Sequence, residues 1–211
     1  MKYRVLTVAR EYGSGGGEIA AIIANELGWR LVDKDLITDI SQVEKVPPSE
    51  VEAFDEKVDP WIHRITRSVW GVGADGISPV APVDMFDAQK TAAMAKRTIH
   101  EAHKMGQCVI VGRGSQCILR NKEDVFHVFI YANWEERVRK IRQRKGTGKD
   151  IESMIRSIDA ERSEYVRLHY RQNWLNPYLY DMMINSKGQN EQVARLVIGA
   201  MQMVPESSAT A

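Results

Sequence analysis

Residues 3–27 read YRVLTVAREYGSGGGEIAAIIANEL, and this stretch decides the fold. Its first seven residues are mostly apolar or β-branched and predict a short buried strand. Residues 18–27 have apolar side chains at helical spacing, and Gly28 follows where a helix commonly ends in a left-handed residue. The glycine-rich loop between them lets backbone N–H groups converge on an anion in front of the positive helix N-terminus. We therefore predict a phosphate-binding loop, not merely a flexible turn, formed by Gly13, Ser14, Gly15, Gly16, Gly17 and Glu18.

The rest of the chain alternates predicted strands with predicted helices. Strands are expected at residues 29–33, 108–112, 125–132 and 181–185, and helices at residues 85–105, 134–145, 150–172 and 190–203, with residues 35–67 mostly helical and residues 71–84 a Gly- and Pro-rich loop. This alternation predicts an α/β fold with a mainly parallel sheet covered on both faces. We expect a single domain over residues 1–204 and a disordered tail over residues 205–211.

Bulk composition excludes several classes of function. The formal net charge of +1 argues against a general nucleic-acid-binding surface. No apolar run reaches membrane-spanning length, and the N-terminus is too polar for a signal peptide. Cys108 and Cys117 are too far apart for a CxxC pair, and Cys108 begins an apolar run typical of a core residue. We expect a cytoplasmic protein whose ligands are small molecules, while the sequence leaves open whether it forms a homo-oligomer.

A dinucleotide-binding (Rossmann) fold is one alternative interpretation of the loop. Gly13 and Gly15 supply the first two glycines of that fingerprint, and Asp33 ends the second predicted strand where a ribose-binding acid is expected. The third glycine would fall at Glu18, where a carboxylate would face the pyrophosphate. The match is therefore poor.

A family resemblance extends over nearly the whole chain. The motifs AREYGSGGGEIA, LGWRLVDKDLI, VIVGRGSQCIL, IDAERSEYVR and NPYLYDMMINS occur in the order seen in the cytidylate-kinase-like family, which this sequence resembles. The resemblance implies a P-loop NTPase three-layer sandwich. It also implies ATP as phosphoryl donor, Mg²⁺, and CMP, dCMP or a related small acceptor. Residues 35–84 would be the monophosphate-binding region and residues 134–160 an arginine-bearing lid.

The loop departs from the usual P-loop pattern G-x-x-x-x-G-K-[ST]. With its end aligned on Gly16-Gly17-Glu18, Gly17 stands where lysine is usual, so the loop lacks its phosphate-bridging cation. Arg10, on the other side of the loop, is the nearest candidate to supply that charge. Glu18 replaces the Ser/Thr that would hold Mg²⁺, and its carboxylate is a candidate metal ligand. A catalytically weak nucleotide-binding or sensor protein is therefore the alternative to an active kinase.

Four residues are candidates for binding the acceptor. Arg113 follows the third strand, at the carboxyl end where ligands collect in open α/β sheets, and resembles the arginine of the family's G-R-D or G-R-G motif. Asp159 and Arg162 share a helix face and resemble the family's acid-and-arginine pair that holds cytosine and the acceptor phosphate. By the same resemblance, Asp33 would meet a sugar hydroxyl or the base.

The helix predicted at residues 134–145 carries four arginines, Arg137, Arg139, Arg142 and Arg144. Asn133, with Glu136 three residues later, resembles a capping box that begins this helix. Gly146 and Gly148 follow it and are expected to form a hinge. We select Arg139 and Arg142, which share a face, as lid residues that would bring positive charge to the transferring phosphoryl group.

Overall fold

The computed structural model describes residues 2–33, 83–146 and 150–203, with the backbone alone for residues 83–91. Most of the predicted monophosphate-binding region, residues 71–82 of the predicted loop, the hinge residue Gly148 and the predicted tail lie outside the described residues. The last two residues of the predicted loop, 83 and 84, instead belong to a helix. Within the described part of the chain, none of the helices is both long enough and apolar enough to cross a membrane.

Five parallel strands form one sheet in the order β2-β3-β1-β4-β5. They are β1 (Val5–Arg10), β2 (Arg30–Val32), β3 (Cys108–Val111), β4 (Val125–Tyr131) and β5 (Met182–Asn185). β1 lies between β3 and β4, which places the loop after it at the centre of the sheet's carboxyl edge. A dinucleotide-binding sheet would instead pair β1 with β2. The dinucleotide interpretation of the loop is therefore wrong.

Helices surround the sheet at nearly the predicted positions. They are α1 (Gly16–Leu27), α2 (Val83–Met105), α3 (Ser115–Ile118), α4 (Trp134–Lys145), α5 (Ile151–Tyr170) and α6 (Asn190–Met203), with a 3₁₀ turn at Pro177–Leu179. The helix α1 begins two residues earlier than predicted, and α2 begins two residues earlier than its prediction. The four-residue helix α3 was not predicted, because one turn is too short to show a hydrophobic period.

The two faces of the sheet have separate hydrophobic cores. Leu6 and Val8 pack with Ile19 of α1 and Val197 of α6 on one face. On the other face, Val5, Ile110 and Cys108 pack with Ile99 of α2. Cys108 is fully buried, which raises the pKa of its thiol to about 12 and confirms that it is a core residue. Helices on both faces of a parallel sheet give the predicted three-layer α/β architecture.

The predicted capping box at the start of α4 is wrong. Asn133 makes no side-chain cap, and its Oδ1 instead accepts a hydrogen bond of 2.9 Å from Nδ2 of Asn185, at the end of β5. Glu136 forms an ion pair with Arg139 rather than reaching back to the helix start. A tertiary contact between the segment after β4 and the end of β5 thus takes the place of the predicted capping box.

Candidate functional site

The glycine-rich loop is a compact turn between β1 and α1. Gly13 and Gly15 have φ values of 85° and 84°, a left-handed conformation that glycine adopts without strain. The buried hydroxyl of Ser14 donates to the carbonyl of Glu11 at 2.9 Å and accepts from the amide of Gly16 at 3.3 Å. The predicted phosphate-binding residues therefore form one ordered segment at the N-terminus of α1.

Arg10 packs along the glycines at the start of α1. A Cβ on Gly16 would lie 2.7 Å from Cβ of Arg10, whereas a Cβ on Gly17 would lie 3.9 Å from Nε of Arg10. Nη1 of Arg10 lies 3.3 Å from the position of a Cβ on Gly112, after β3. The side chain of Arg10 thus fills the space that a residue-16 side chain would need, and it extends from the loop to the end of β3.

The surroundings of Arg10 leave it charged. The pKa of Arg10 is lowered to about 10, mainly by burial and also by the nearby charge of Arg162, while Asp33 opposes both effects. A pKa of about 10 keeps the guanidinium protonated at neutral pH. Nη1 of Arg162 also donates to the backbone carbonyl of Arg10 at 2.9 Å. Asp33, which directly follows β2, therefore acts electrostatically on the same group.

A cavity of about 420 Å³ lies beside the loop, between the segment after β3 and helix α5. It brings together three arginines that the sequence selected separately, Arg10, Arg113 and Arg162. The rest of its wall is aromatic, apolar or polar, with Tyr12, Gln116, Ile158, Glu161, Tyr165, Val166 and Trp174. Three cations beside a partly apolar wall suit a ligand that has both an anionic group and a planar ring.

The backbone around Arg113 is tightly constrained. Arg113 has a φ of 54°, and a side chain on Gly114 would overlap the ring of Tyr170. The hydroxyl of Tyr170 donates to the carbonyl of Arg113 at 3.3 Å. Nε of Arg113 is buried without a hydrogen-bond partner. The segment after β3 therefore holds Arg113 in place at the cavity while leaving one of its donors unused.

Arg137 connects the loop to helices α4 and α5. It is 6% exposed, its Nε donates to the carbonyl of Tyr12 at 2.8 Å, and its guanidinium pairs with Asp159 and, at 3.3 Å, with Glu11. Asp159 also accepts from the amide of Tyr12 at 2.8 Å and lies 3.5 Å from Arg162. Asp159 does not line the cavity, and its predicted contact with the acceptor stays a prediction.

A second basic residue, Lys140, approaches the loop from α4. A Cβ on Gly15 would lie 2.7 Å from Nζ of Lys140 and 2.6 Å from Oδ1 of Asn190. Nζ of Lys140 donates to Oδ1 of Asn190 at 3.1 Å, and Nδ2 of Asn190 donates to Glu18 at 2.5 Å. Burial lowers the pKa of Lys140. Positive charge therefore flanks the loop on two sides, with Arg10 along Gly16 and Lys140 at Gly15.

Comparison with known proteins identifies the family of this chain. The sequence profile of the cytidylate kinase-like family matches residues 5–188. The chain belongs to the cytidylate kinase-like family. No curated protein matches the chain.

Solved structures share the fold of this cytidylate kinase-like chain at low sequence identity. An uncharacterised protein from Eubacterium ventriosum has a TM-score of 0.68 at 17% identity, over 95% of this chain and 99% of that one. A shikimate kinase from Acinetobacter baumannii, in complex with shikimate, has a TM-score of 0.52 at 11% identity, over 95% and 93%. A gluconokinase from Sinorhizobium meliloti has a TM-score of 0.50 at 13% identity, over 94% and 91%. The fold is that of P-loop kinases.

The two predicted lid arginines of this cytidylate kinase-like chain lie away from the cavity. Arg139 pairs with Glu136 at 3.2 Å and Arg142 lies 3.9 Å from Glu152, and both side chains are more than half exposed. They line a separate groove between α4 and α5 that also contains Trp134. Their catalytic role stays a prediction that requires α4 to move.

Glu18, the predicted metal ligand, is already engaged. Its carboxylate pairs with Arg144 and accepts from Asn190. Within residues 2–33, 83–146 and 150–203, no three His, Cys, Asp or Glu side chains are grouped as a metal site. Mg²⁺ commonly binds through one or two carboxylates together with substrate phosphates and water. Glu18 fits that role only if it exchanges its present partners for the metal.

Sequence reasoning did not select Arg137, Lys140 or Asn190. A run of basic residues on one helix does not by itself indicate which of them is buried. The signal for burial of Arg137 was its position, directly before Val138 and one turn before Ile141, which are both buried. Asn190 begins α6, where an asparagine is equally typical of a helix start.

Proposed function

We propose that the chain transfers the γ-phosphoryl group of ATP, with Mg²⁺, to a pyrimidine nucleoside monophosphate, CMP or dCMP. Its membership of the cytidylate kinase-like family and its P-loop kinase fold support a phosphotransferase. The three-arginine cavity beside the glycine-rich loop supports an anionic acceptor of nucleotide size. We further propose that residues 35–84 bind the monophosphate, that residues 134–160 act as a lid, and that the protein is cytoplasmic.

The observation that carries this proposal is the position of Arg10. Phosphoryl transfer depends mainly on positioning and on stabilising the charge of the transferring group. Arg10 is held against Gly16, is protonated at neutral pH and also lines the cavity. It is therefore placed between the loop, where the donor phosphates would bind, and the acceptor. In this proposal Arg10 replaces the lysine that the loop lacks.

On the acceptor side, Arg113 and Arg162 would bind the monophosphate. The planar guanidinium group binds phosphate oxygens in pairs, and Arg113 has a buried Nε that no protein atom contacts by hydrogen bonding. Asp33 and Asp159 would then orient the nucleoside or the arginines themselves. Mg²⁺ would neutralise the donor phosphates, and Glu18 is the carboxylate proposed to hold it.

A second candidate function is nucleotide binding without efficient turnover. It is favoured by the contacts of Glu18, whose carboxylate already binds Arg144 and Asn190. It is also favoured by the loop sequence, because residues 16 and 17 are both glycine and neither is lysine. Such a protein would bind ATP through the loop amides and respond by changing conformation. The two functions differ in turnover rather than in binding.

The deciding experiment is an ADP-release assay with ATP and Mg²⁺ over a panel of monophosphates. The panel includes CMP, dCMP, UMP, AMP and GMP, with a control in which water is the only acceptor. Acceptor-dependent ADP release that is highest with CMP or dCMP supports the kinase. Release no greater than the water control with every acceptor, together with a melting temperature raised by ATP, supports the nucleotide-binding alternative. No ATP effect on melting contradicts both.

A further inference from the structure

Unpaired buried polar atoms are concentrated next to the cavity. Among the described residues, seven buried side-chain nitrogen or oxygen atoms have no hydrogen-bond partner, and three of them belong to Arg113, Ser115 and Gln116. Folded proteins leave few such atoms unpaired, because each one forfeits its hydration without a replacement. The segment after β3 therefore has unused hydrogen-bonding capacity. Ser115 and Gln116 have no role assigned above, and of these two only Gln116 lines the cavity.

The orientation of the Gln116 amide follows from its neighbour Tyr180. The hydroxyl of Tyr180 donates a hydrogen bond to the carbonyl of Trp174 at 2.7 Å. The hydroxyl oxygen of Tyr180 can therefore only accept a hydrogen bond from Gln116. Nε2 of Gln116 donates to this hydroxyl oxygen at 3.4 Å. The NH₂ end of the amide therefore faces Tyr180, and Oε1 is the end without a partner. Gln116 is 1% exposed, so bulk water does not satisfy that oxygen.

The cavity itself limits what can approach Gln116. Gln116 lines it together with Arg113 and the apolar side chains of Val166 and Trp174. An apolar wall suits a planar ring, and an oxygen with no proton to give accepts hydrogen bonds only. A ligand bound here by its phosphate would gain most if its ring had a hydrogen-bond donor on the edge near Gln116.

We propose that Gln116 determines which base the acceptor has. Its Oε1 accepts a hydrogen bond from an exocyclic amino group, as on cytosine, and rejects a carbonyl at the same position, as on uracil. Two acceptors facing each other would leave both unpaired in a buried site, and sites built around such a hydrogen bond discriminate strongly. Tyr180 is a positioning residue, because it holds the amide in the discriminating orientation. This proposal rests on the proposed function, which places the acceptor in this cavity.

The test compares kcat/KM for CMP and UMP, and the affinity for each by calorimetry, in four proteins. They are the wild type, Gln116→Met, Tyr180→Phe and, as a matched control, Tyr178→Phe, whose tyrosine is 87% exposed. The wild type should prefer CMP by about tenfold or more, the effect of one buried hydrogen bond. Gln116→Met should bring the ratio close to one and leave KM for ATP unchanged. Tyr180→Phe should lower the ratio mainly through KM for CMP, and Tyr178→Phe should not change it.

The outcomes separate this proposal from the proposed function. A CMP-to-UMP ratio that Gln116→Met leaves unchanged, or a wild type that prefers UMP, overturns the role of Gln116 even if the protein is a kinase. Because affinity is measured as well as turnover, a CMP preference in binding that Gln116→Met abolishes supports that role even if no phosphoryl transfer occurs. If Gln116→Met fails to fold, the Tyr180→Phe ratio decides. A wild type that binds neither nucleotide contradicts both proposals.

Discussion

The side chain of Arg10 occupies the volume that a side chain on Gly16 would need, with its Cβ 2.7 Å from the position of that missing atom. A side chain at residue 16 and the present position of Arg10 therefore exclude each other, whereas residue 17, where lysine is usual, has room beside Arg10. Glycine at residue 16 is what allows Arg10 to lie against the loop. Gly16 and the buried arginine before the loop are thus one adaptation.

Gly16→Ala should reduce turnover, and Gly17→Ala should not. A methyl group on residue 16 would displace Arg10, whereas one on residue 17 has 3.9 Å of clearance. We expect kcat to fall by about tenfold or more in Gly16→Ala, a fraction of the 10²–10³ typical of losing one preorganised donor. Gly17→Ala should be stabilised by up to about 1 kcal/mol through its higher helix propensity. Steady-state kinetics and thermal melts measure both effects, and equal kinetic losses in the two variants would contradict the steric argument.

Arg10→Ala should lower kcat by about 10²–10³, since it removes the cation next to the donor phosphates. It also empties the space beside Gly16. We therefore expect the double variant Arg10→Ala/Gly16→Lys to recover part of that loss by restoring a charge from the loop itself. The measurement is kcat at saturating ATP and CMP. Full activity in Arg10→Ala would show that another cation stabilises the donor phosphates. Lys140, which lies next to Gly15, would be the first to test.

Arg113→Ala should raise KM for the monophosphate far more than KM for ATP. One lost charge-assisted phosphate contact is worth about 1.5–3 kcal/mol, or roughly 10- to 150-fold. Arg120→Ala is the matched control, because Arg120 is exposed and does not line the cavity. Initial-rate kinetics with each substrate varied in turn measures both constants. An increase of the same size for ATP would remove Arg113 from the acceptor side.

His127 should make the protein less stable in mild acid. It is 7% exposed on β4, and its Nδ1 lies 2.6 Å from Oγ1 of Thr7 on the neighbouring strand β1. Burial lowers the pKa of His127 below its ordinary value of 6.5. As the pH falls below 6.5, the unfolded chain binds a proton that the folded chain excludes, so the free energy of unfolding decreases. We expect melting temperatures between pH 8 and pH 5 to fall more steeply in the wild type than in His127→Gln. Parallel curves would show that His127 is not the group that titrates.

The order of strands and helices was largely predictable from sequence, because buried strands and amphipathic helices each have a characteristic spacing of apolar residues. Helix α4 begins and ends at the predicted residues. The side chains that assemble around the loop were predictable only in part. Arg10 and Arg113 directly follow apolar runs that identify strands, so their place at the sheet edge follows from local pattern. Arg137 was marked only by its place one turn before Ile141, because the partners that bury it, the carbonyl of Tyr12 and the carboxylate of Asp159, lie elsewhere in the chain.

The contacts of Arg137 also determine how the region can move. Its guanidinium is shared between the carbonyl of Tyr12 and two carboxylates, in a place almost closed to solvent. A buried charge that loses one partner is strongly disfavoured unless it regains water or a new partner at once. Gradual tilting of α4 away from the loop therefore has no stable midpoint. The helix should switch between two discrete positions, so that a nucleotide titration would show one set of spectroscopic signals decreasing while another grows, rather than a single set that drifts.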